Sequence, residues 1–158
     1  MPYLWRMPIG FAVSLHLHPA IAGEPLLSVE EFTVVAGKGI KSNGEGRMFD
    51  RNNLRQVSLI EREQLAKHAE SLGHPGFAPG EARSNIETKG LDLIKLIGRN
   101  IRIGEAELRI YQPRTPCHKM DLLVPGLRKR MMDGQQGIMA EVVQSGIIRT
   151  GDYITPLP

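Results

Sequence analysis

One stretch of the sequence decides the fold, and it covers residues 100–117: NIRIGEAELRIYQPRTPC. Apolar and polar side chains alternate on both sides of Gly104-Glu105, which is the pattern of two antiparallel strands joined by a tight turn. The stretch therefore predicts a β-hairpin. Its second strand leads into a loop in which Pro113 and Pro116 stand just before Cys117.

The rest of the chain has the same character. Similar alternation predicts four further extended segments, at residues 10–17, 25–35, 138–143 and 147–154. One helix is predicted within residues 54–72, where Ser58 and Glu61 match a capping box and an apolar stripe follows. A second, short helix is predicted within residues 125–134. With 17 glycines and 11 prolines, turns are frequent, so the fold class is predicted to be mainly β.

Composition excludes several classes of protein. The hydrophobic fraction of 41% and the charged fraction of 23% are typical of a folded globular domain, and 158 residues fit one core. The net charge of +3 is only mildly basic and aromatic residues make up 5%, so no nucleic-acid partner is expected. No segment approaches the ~18 apolar residues that a membrane span requires, so no membrane association and a cytoplasmic location are expected.

The one cysteine is the leading candidate for chemistry. A single cysteine cannot form an internal disulfide, which favours a reducing compartment. A lone cysteine is usually a small buried apolar residue. Here two prolines stiffen the backbone, and Arg114, His118 and Lys119 are nearby cations that favour the thiolate of Cys117. A thiolate is both a nucleophile and a soft metal ligand.

Two other segments carry groups that suit an anionic or pterin ligand. Arg83 and Asn85 are two residues apart, so on an extended chain a cation and an amide would project from one face. On the sequence alone a solvated strand end is the favoured explanation of this pair, because polar residues two apart are common on half-exposed strands. Lys38 lies in a glycine-rich segment, residues 36–46, whose amides and cations suit a phosphate. A plain flexible connection remains the alternative for that segment.

The histidines are predicted to have no catalytic role. His16 and His18 share one face of the strand at residues 10–17, but two histidines fall short of the three or four ligands of an ordinary metal site. We therefore predict that they lie on an exposed strand face. His68 on the long helix and His74 after it have no obvious local partner, and both are predicted to be solvated.

Several motifs together resemble the MOSC domain, the module named for the C-terminal domain of molybdenum-cofactor sulfurase. They are Arg83-Ser84-Asn85-Ile86 with Gly90, Ile103-Gly104, Gln112-Pro113-Arg114-Thr115-Pro116-Cys117, and the closing Gly137, Gly146 and Gly151-Asp152. The cysteine region is similar to small stand-alone bacterial members related to the hydroxylaminopurine reductases. The resemblance covers nearly the whole chain, and it implies a closed β-barrel with a few peripheral helices in a single domain over residues 1–158.

The resemblance also implies a chemistry. Family members bind a molybdenum-pterin cofactor, and their cysteine ligates molybdenum in reductases or carries a sulfane sulfur in cofactor maturation; pyridoxal phosphate binding is a further family property. By this resemblance Cys117 is the catalytic residue and metal ligand, or the persulfide carrier. The residues expected to contact the cofactor are Arg83, Asn85, Thr115, Arg114 and Lys38.

Three functions remain open on the sequence. The first is a molybdenum-dependent reductase of N-hydroxylated or similar N-oxygenated small molecules, supplied by an electron-donor protein because the chain has no flavin or iron-sulfur motif. The second is a sulfur carrier that a cysteine desulfurase loads with a persulfide. The third is a non-catalytic cofactor-binding module, suggested because Ser42-Asn43 stand where many members carry Gly-Asp-Arg or Gly-Asp-Lys.

Overall fold

The computed structural model describes residues 10–41 and 56–158, which form eleven strands, three short helices and one 3-10 turn, Ile94–Leu96. The strands are β1 (Gly10–Leu17), β2 (Leu27–Val29), β3 (Glu31–Val35), β4 (Gly39–Lys41), β5 (Val57–Glu61), β6 (Ile86–Lys89), β7 (Asn100–Ile103), β8 (Ala106–Pro113), β9 (Ile138–Gln144), β10 (Gly146–Arg149) and β11 (Tyr153–Pro156). The helices are α1 (Arg62–Leu72), α2 (Lys119–Leu123) and α3 (Leu127–Arg130).

Seven strands close into a barrel, in the order β1, β11, β7, β8, β9, β5, β6 and back to β1, which confirms the predicted fold class. All neighbours are antiparallel except β5 and β6. A closed ring with an odd number of strands cannot alternate direction all the way round, so one parallel pair is unavoidable. Parallel neighbours need a long crossover, and residues 62–85, which include α1, supply it.

The predicted hairpin is present and leads directly to the cysteine loop. Residue Ile103 pairs with Ala106 across the turn, so β7 and β8 form the hairpin with the expected register. On its other side β8 pairs with β9 as far as Pro113, which lies opposite Ile138. The strand that carries the chain to Cys117 is therefore held on both sides.

The strand predicted at residues 147–154 is two strands in different sheets. β10 joins β3 and β4 in a separate three-stranded sheet, whereas β11 belongs to the barrel. The chain changes sheet at Thr150-Gly151-Asp152, where Gly151 has a φ of 91°. This positive φ agrees with the turn that the Gly-Asp pair favours.

The predicted capping box at Ser58 and Glu61 is wrong. All five residues of β5 are buried, because Leu59 faces the barrel core and Ile60 faces the helices. A strand that is buried on both faces does not alternate apolar and polar residues, so β5 was not recognised as a strand. Its polar residues Ser58 and Glu61 happen to match the pattern of a helix start. Helix α1 begins at Arg62, and the side chain of Glu61 makes no capping hydrogen bond.

The helices form a second core on the outer face of β5. This cluster joins residues of β5, α1, α2, α3 and the position after α3, namely Ile60, Leu65, Ala69, Met120, Leu127 and, directly after α3, Met131. Helix α2, which sequence patterns did not predict, packs there and ties the chain after Cys117 to α1. No helix within residues 10–41 and 56–158 is long and apolar enough to span a membrane.

The predictions of exposed His16 and solvated His68 are wrong. His16 is fully buried, and its Nδ1 donates a hydrogen bond to the Ser84 carbonyl at 3.0 Å. His68 is 1% exposed; its Nε2 donates to the Gln135 carbonyl at 2.7 Å, and its Nδ1 accepts from Arg130 Nε at 3.3 Å. Both histidines therefore fix distant segments of backbone rather than face solvent.

Candidate functional site

Cys117 lies in the loop that leaves the barrel at the end of β8, and its thiol is free and exposed. The loop is fixed on one side by Arg114, whose backbone N–H donates to the Gly137 carbonyl at 3.1 Å. On the other side the Met120 N–H donates to the Cys117 carbonyl at 3.1 Å as the chain enters α2. The accessible thiol is thus carried on backbone that is held before and after it.

An open cleft of about 460 Å³, here called the main cleft, lies beside this loop. It is lined by Ile94, Gln112, Pro113, Arg114, Thr115, Pro116, Met132, Asp133 and Gly134. One wall is thus the end of β8 and the loop up to Pro116, and the others are the 3-10 turn and the segment after α3. Every residue of the motif from Gln112 to Pro116 reaches the cleft.

Arg114 connects the main cleft to the Arg83-Ser84-Asn85 segment. Its Nη1 donates to Ser84 Oγ at 2.9 Å. Ser84 is fully buried, and its carbonyl is the acceptor for His16. Because burial and the hydrogen bond from His16 fix Ser84, its hydroxyl holds the guanidinium of Arg114 at the wall of the cleft.

The predicted placement of Arg83 beside Asn85 is wrong. Arg83 precedes β6 with a φ of 63°, so the two side chains do not share a strand face. Arg83 Nη1 donates to the Glu24 carbonyl at 3.0 Å, and the residue lines a different cleft of about 300 Å³.

Asn85 is 6% exposed, and its Oδ1 accepts hydrogen bonds from the N–H and hydroxyl of Ser58. Its Nδ2 donates to the His16 carbonyl at 3.2 Å, so this side chain links β5, β6 and β1.

Thr115 is exposed in the main cleft beside Arg114, as a cofactor contact requires. Lys38 is exposed on the turn between β3 and β4, and it is not among the described residues that line the main cleft or the Arg83 cleft. Ser42-Asn43, the pair that differs from the Gly-Asp-Arg or Gly-Asp-Lys of many family members, lies outside the described residues. The structure therefore gathers Arg114 and Thr115 at the cysteine loop and leaves Arg83 and Lys38 elsewhere.

Helix α1 fixes the segment after α3, which forms one wall of the main cleft. Gln64 Nε2 donates to the Gly134 carbonyl at 3.2 Å, and Gln64 Oε1 accepts from the Gly137 N–H at 3.0 Å. His68 holds the same segment through Gln135. Burial lowers the pKa of His68 below its ordinary value, which keeps the ring neutral at pH 7.

A second cleft, here called the side cleft, was not identified from the sequence. It measures about 330 Å³ and shares Ile94, Asp133 and Gly134 with the main cleft. Its remaining lining residues are Glu61, Gln64, Lys67, Asp92, Lys95 and Gln135. The only hint of this cleft in the sequence is the carboxylate of Glu61, which follows the uncharged run from Val57 to Ile60. The same carboxylate also fits a helix cap, so the sequence does not distinguish the two roles.

Glu61 is the unusual ionisable group of the side cleft. It is 8% exposed, and its Oε1 accepts a hydrogen bond from the Leu93 N–H at 3.3 Å. Burial raises the pKa of Glu61 to about 7; the Leu93 bond lowers it, and the charges of Asp92 and Glu63 raise it further. The carboxyl therefore exchanges a proton near neutral pH.

The raised pKa predicts an unusual dependence of stability on pH. An unfolded glutamate releases its proton near pH 4.5, whereas Glu61 in the folded protein holds it to about pH 7. The folded state binds more protons than the unfolded state between these two pH values, so the contribution of Glu61 lowers the free energy of unfolding as pH rises from about 4.5 to about 7, by on the order of 3 kcal/mol. Glu61→Gln keeps an acceptor for Leu93 and removes the ionisation.

Urea unfolding should therefore find Glu61→Gln more stable than the wild type at about pH 8 and close to it at about pH 4. Equal stability of the two proteins at the higher pH would contradict the raised pKa.

Among the described residues, no three side chains of His, Cys, Asp or Glu are grouped to hold a metal ion. A molybdenum-pterin cofactor brings its own dithiolene sulfurs, so a single protein thiolate is sufficient to complete its attachment. The exposed thiol of Cys117, with Arg114 and Thr115 on the adjoining cleft wall, fits such a group.

Comparison with known proteins agrees with this architecture. The YuaD protein from Bacillus subtilis has a similar structure, with a TM-score of 0.75 and 21% identity over 94% of this chain and 95% of that one. YiiM from Geobacillus stearothermophilus gives a TM-score of 0.71 and 21% identity over 94% and 75% of the two chains. YiiM from Escherichia coli gives 0.68 and 20% over 96% and 69%.

No curated protein matches the sequence. The profile of the MOSC domain matches residues 46–155, a range that includes α1, the hairpin, the cysteine loop and most of the barrel strands. The chain therefore belongs to the MOSC domain family, as the motifs around Cys117 predicted.

Proposed function

We propose that this MOSC protein binds a molybdenum-pterin cofactor through Cys117 and reduces N-hydroxylated or similar N-oxygenated small molecules. The observation that supports the proposal is the exposed thiol of Cys117 on a fixed loop beside the main cleft. The family to which the chain belongs is associated with this cofactor. When bound, the cofactor supplies the redox-active metal.

The residues of the chain contribute binding and orientation. Cys117 holds the metal as a thiolate, and its exposure gives the cofactor access. Arg114 lies in the cleft wall with its guanidinium positioned by Ser84, so it is placed to bind an anionic oxygen without further ordering. The hydroxyl of Thr115 can donate to or accept from the same ligand. The small-molecule substrate enters from the open side of the main cleft.

The proposed partner is an electron-donor protein. Reduction of an N–O bond consumes electrons, and an iron-sulfur cluster needs several cysteine ligands, whereas this sequence has one cysteine. The cysteine loop is at the surface, which lets a donor protein approach the cofactor closely.

Metal and pterin analysis tests this function. Wild-type protein from a host that makes the cofactor should carry molybdenum and pterin, and Cys117→Ser should lose most of both. The exposed neighbour His118 offers a matched control, because His118→Ala changes the same loop and keeps the thiol. A folded wild-type protein without molybdenum, or a Cys117→Ser variant with the wild-type content, would contradict the proposal.

Sulfur transfer is the second candidate function, and the accessibility of Cys117 is the observation that favours it. A persulfide carrier must present its thiol to a cysteine desulfurase and then to an acceptor, which a buried cysteine cannot do. The desulfurase converts free cysteine to alanine and leaves the sulfur bonded to the Cys117 sulfur.

Intact-mass measurement after incubation with a desulfurase and cysteine should therefore show one added sulfur atom on the wild type. The addition should be absent from Cys117→Ser and should disappear from the wild type after treatment with a thiol reductant. A wild-type mass that does not change would exclude this function.

A further inference from the structure

The side cleft places a buried acid next to the proposed reduction site. Three residues, Ile94, Asp133 and Gly134, belong to the linings of both the main cleft and the side cleft, so the two clefts adjoin at these residues. The cysteine loop borders the main cleft, and Glu61 lines the side cleft. A small planar substrate that extends past Asp133 would therefore enter the side cleft, which Glu61 lines.

Three segments of the chain place charged residues around Glu61. Helix α1 presents Glu63 and Lys67, and the segment before the 3-10 turn presents Asp92, which pairs with Lys95 at 3.8 Å. The segment after α3 contributes Asp133 to the same cleft. Burial and the charges of Asp92 and Glu63 raise the pKa of Glu61, and together they outweigh the Leu93 hydrogen bond and the charge of Lys67, which lower it.

The other buried or neighbouring carboxylates are committed to structural contacts. Glu87 is fully buried, and it pairs with Arg62 at 2.9 Å and accepts from the Gly80 N–H. Glu63 accepts from the Gly90 N–H at 2.9 Å. Among the described acidic residues that line the two clefts, only Glu61 is buried.

We propose that Glu61 donates a proton to a substrate bound across the main and side clefts. This inference rests on the proposed reductase function. Reduction of a hydroxylamine takes up two electrons and two protons: the N–O bond breaks, the oxygen leaves as water, and the amine remains. The electron-donor protein supplies the electrons, Glu61 gives its proton to the departing oxygen, and water supplies the proton that nitrogen receives. Solvent then reprotonates the Glu61 carboxylate.

The pH dependence of turnover tests this role. With 6-hydroxylaminopurine as substrate and molybdenum-loaded protein, the wild-type kcat should fall as pH rises past about 7, because the acid form of Glu61 is lost. Glu61→Gln should lower kcat by about 100-fold with little change in KM, and the fall near neutral pH should disappear. Glu63→Gln is the matched control, because it removes a carboxylate two residues away and should keep the wild-type kcat.

Infrared spectroscopy of cofactor-free protein gives a readout that needs no turnover. The C=O band of a protonated carboxyl should titrate at about pH 7 in the wild type and at a slightly lower pH in Glu63→Gln, which lacks a charge that raises the pKa of Glu61; the band should be absent from Glu61→Gln. Added 6-hydroxylaminopurine should shift this band, because the ligand contacts the carboxyl.

The possible failures are distinguishable. A wild-type pH profile in Glu61→Gln, or a Glu61 band that the ligand does not move, overturns the proton-donor role and leaves the proposed function standing. A wild-type protein without molybdenum and without turnover overturns the proposed function and the proton-donor role with it.

Discussion

Gly137→Ala should destabilise the protein by about 4 kcal/mol, because the position combines a left-handed backbone with no space for a side chain. Gly137 has a φ of 73°, where L-residues are strained. A Cβ at this position would overlap the Leu59 carbonyl oxygen and the Ile60 Cα, and both are backbone atoms of the buried strand β5. Backbone atoms of a central strand cannot move aside as a flexible side chain can.

The same glycine couples stability to the candidate site. Its N–H donates to Gln64 on α1, and its carbonyl accepts from the Arg114 N–H in the cysteine loop. A displacement of Gly137 would therefore disturb both anchors. We expect any folded fraction of Gly137→Ala to bind the cofactor less well than the wild type, in proportion to the loss of these two hydrogen bonds.

Urea unfolding of Gly137→Ala and Gly151→Ala measures the steric part of the effect. Gly151 has a similarly positive φ of 91°, but a Cβ added there would meet no atom within 4 Å, so its variant should lose only about 1 kcal/mol. If Gly137→Ala is no less stable than Gly151→Ala, the close approach to β5 is not what requires glycine at position 137.

The mainly β fold class could be predicted because several strands carry local patterns, whereas the closed barrel was predicted only from the resemblance to the MOSC domain. The alternation in β7 and β8 and the turn at Gly104-Glu105 gave the hairpin with its register. β5 could not be recognised in this way, because both of its faces are covered and the second cover is helix α1, which comes later in the chain. Burial on two faces removes the period that identifies a strand.

The site was predictable in part for a related reason. Cys117 and Arg114 stand in one short motif, and the fixed backbone at the end of β8 keeps them together. Glu61 reaches the site from a different strand, so no local pattern connects it to the cysteine. Likewise, Asn85 is polar in sequence, and only its distant partners Ser58 and His16 reveal that it is buried.

Asn85→Ala should therefore cost about 3 kcal/mol of stability, whereas Arg83→Ala should cost less than about 1 kcal/mol. The alanine at position 85 leaves the N–H of Ser58 and the carbonyl of His16 without their partners inside the protein, and buried polar groups without partners are costly. Arg83 makes an exposed hydrogen bond to the Glu24 carbonyl, which water can replace.

The two variants separate a structural role from a ligand-binding role. If Asn85 chiefly contacts the cofactor, Asn85→Ala will unfold at the wild-type urea concentration and lose molybdenum; if it chiefly joins β5, β6 and β1, the unfolding midpoint will fall even in cofactor-free protein. We expect the second result for Asn85. For Arg83→Ala we expect a nearly unchanged midpoint, so that any loss of molybdenum in that variant reports directly on a contact with the cofactor. An unfolding midpoint of cofactor-free Asn85→Ala equal to that of the wild type would refute the structural role.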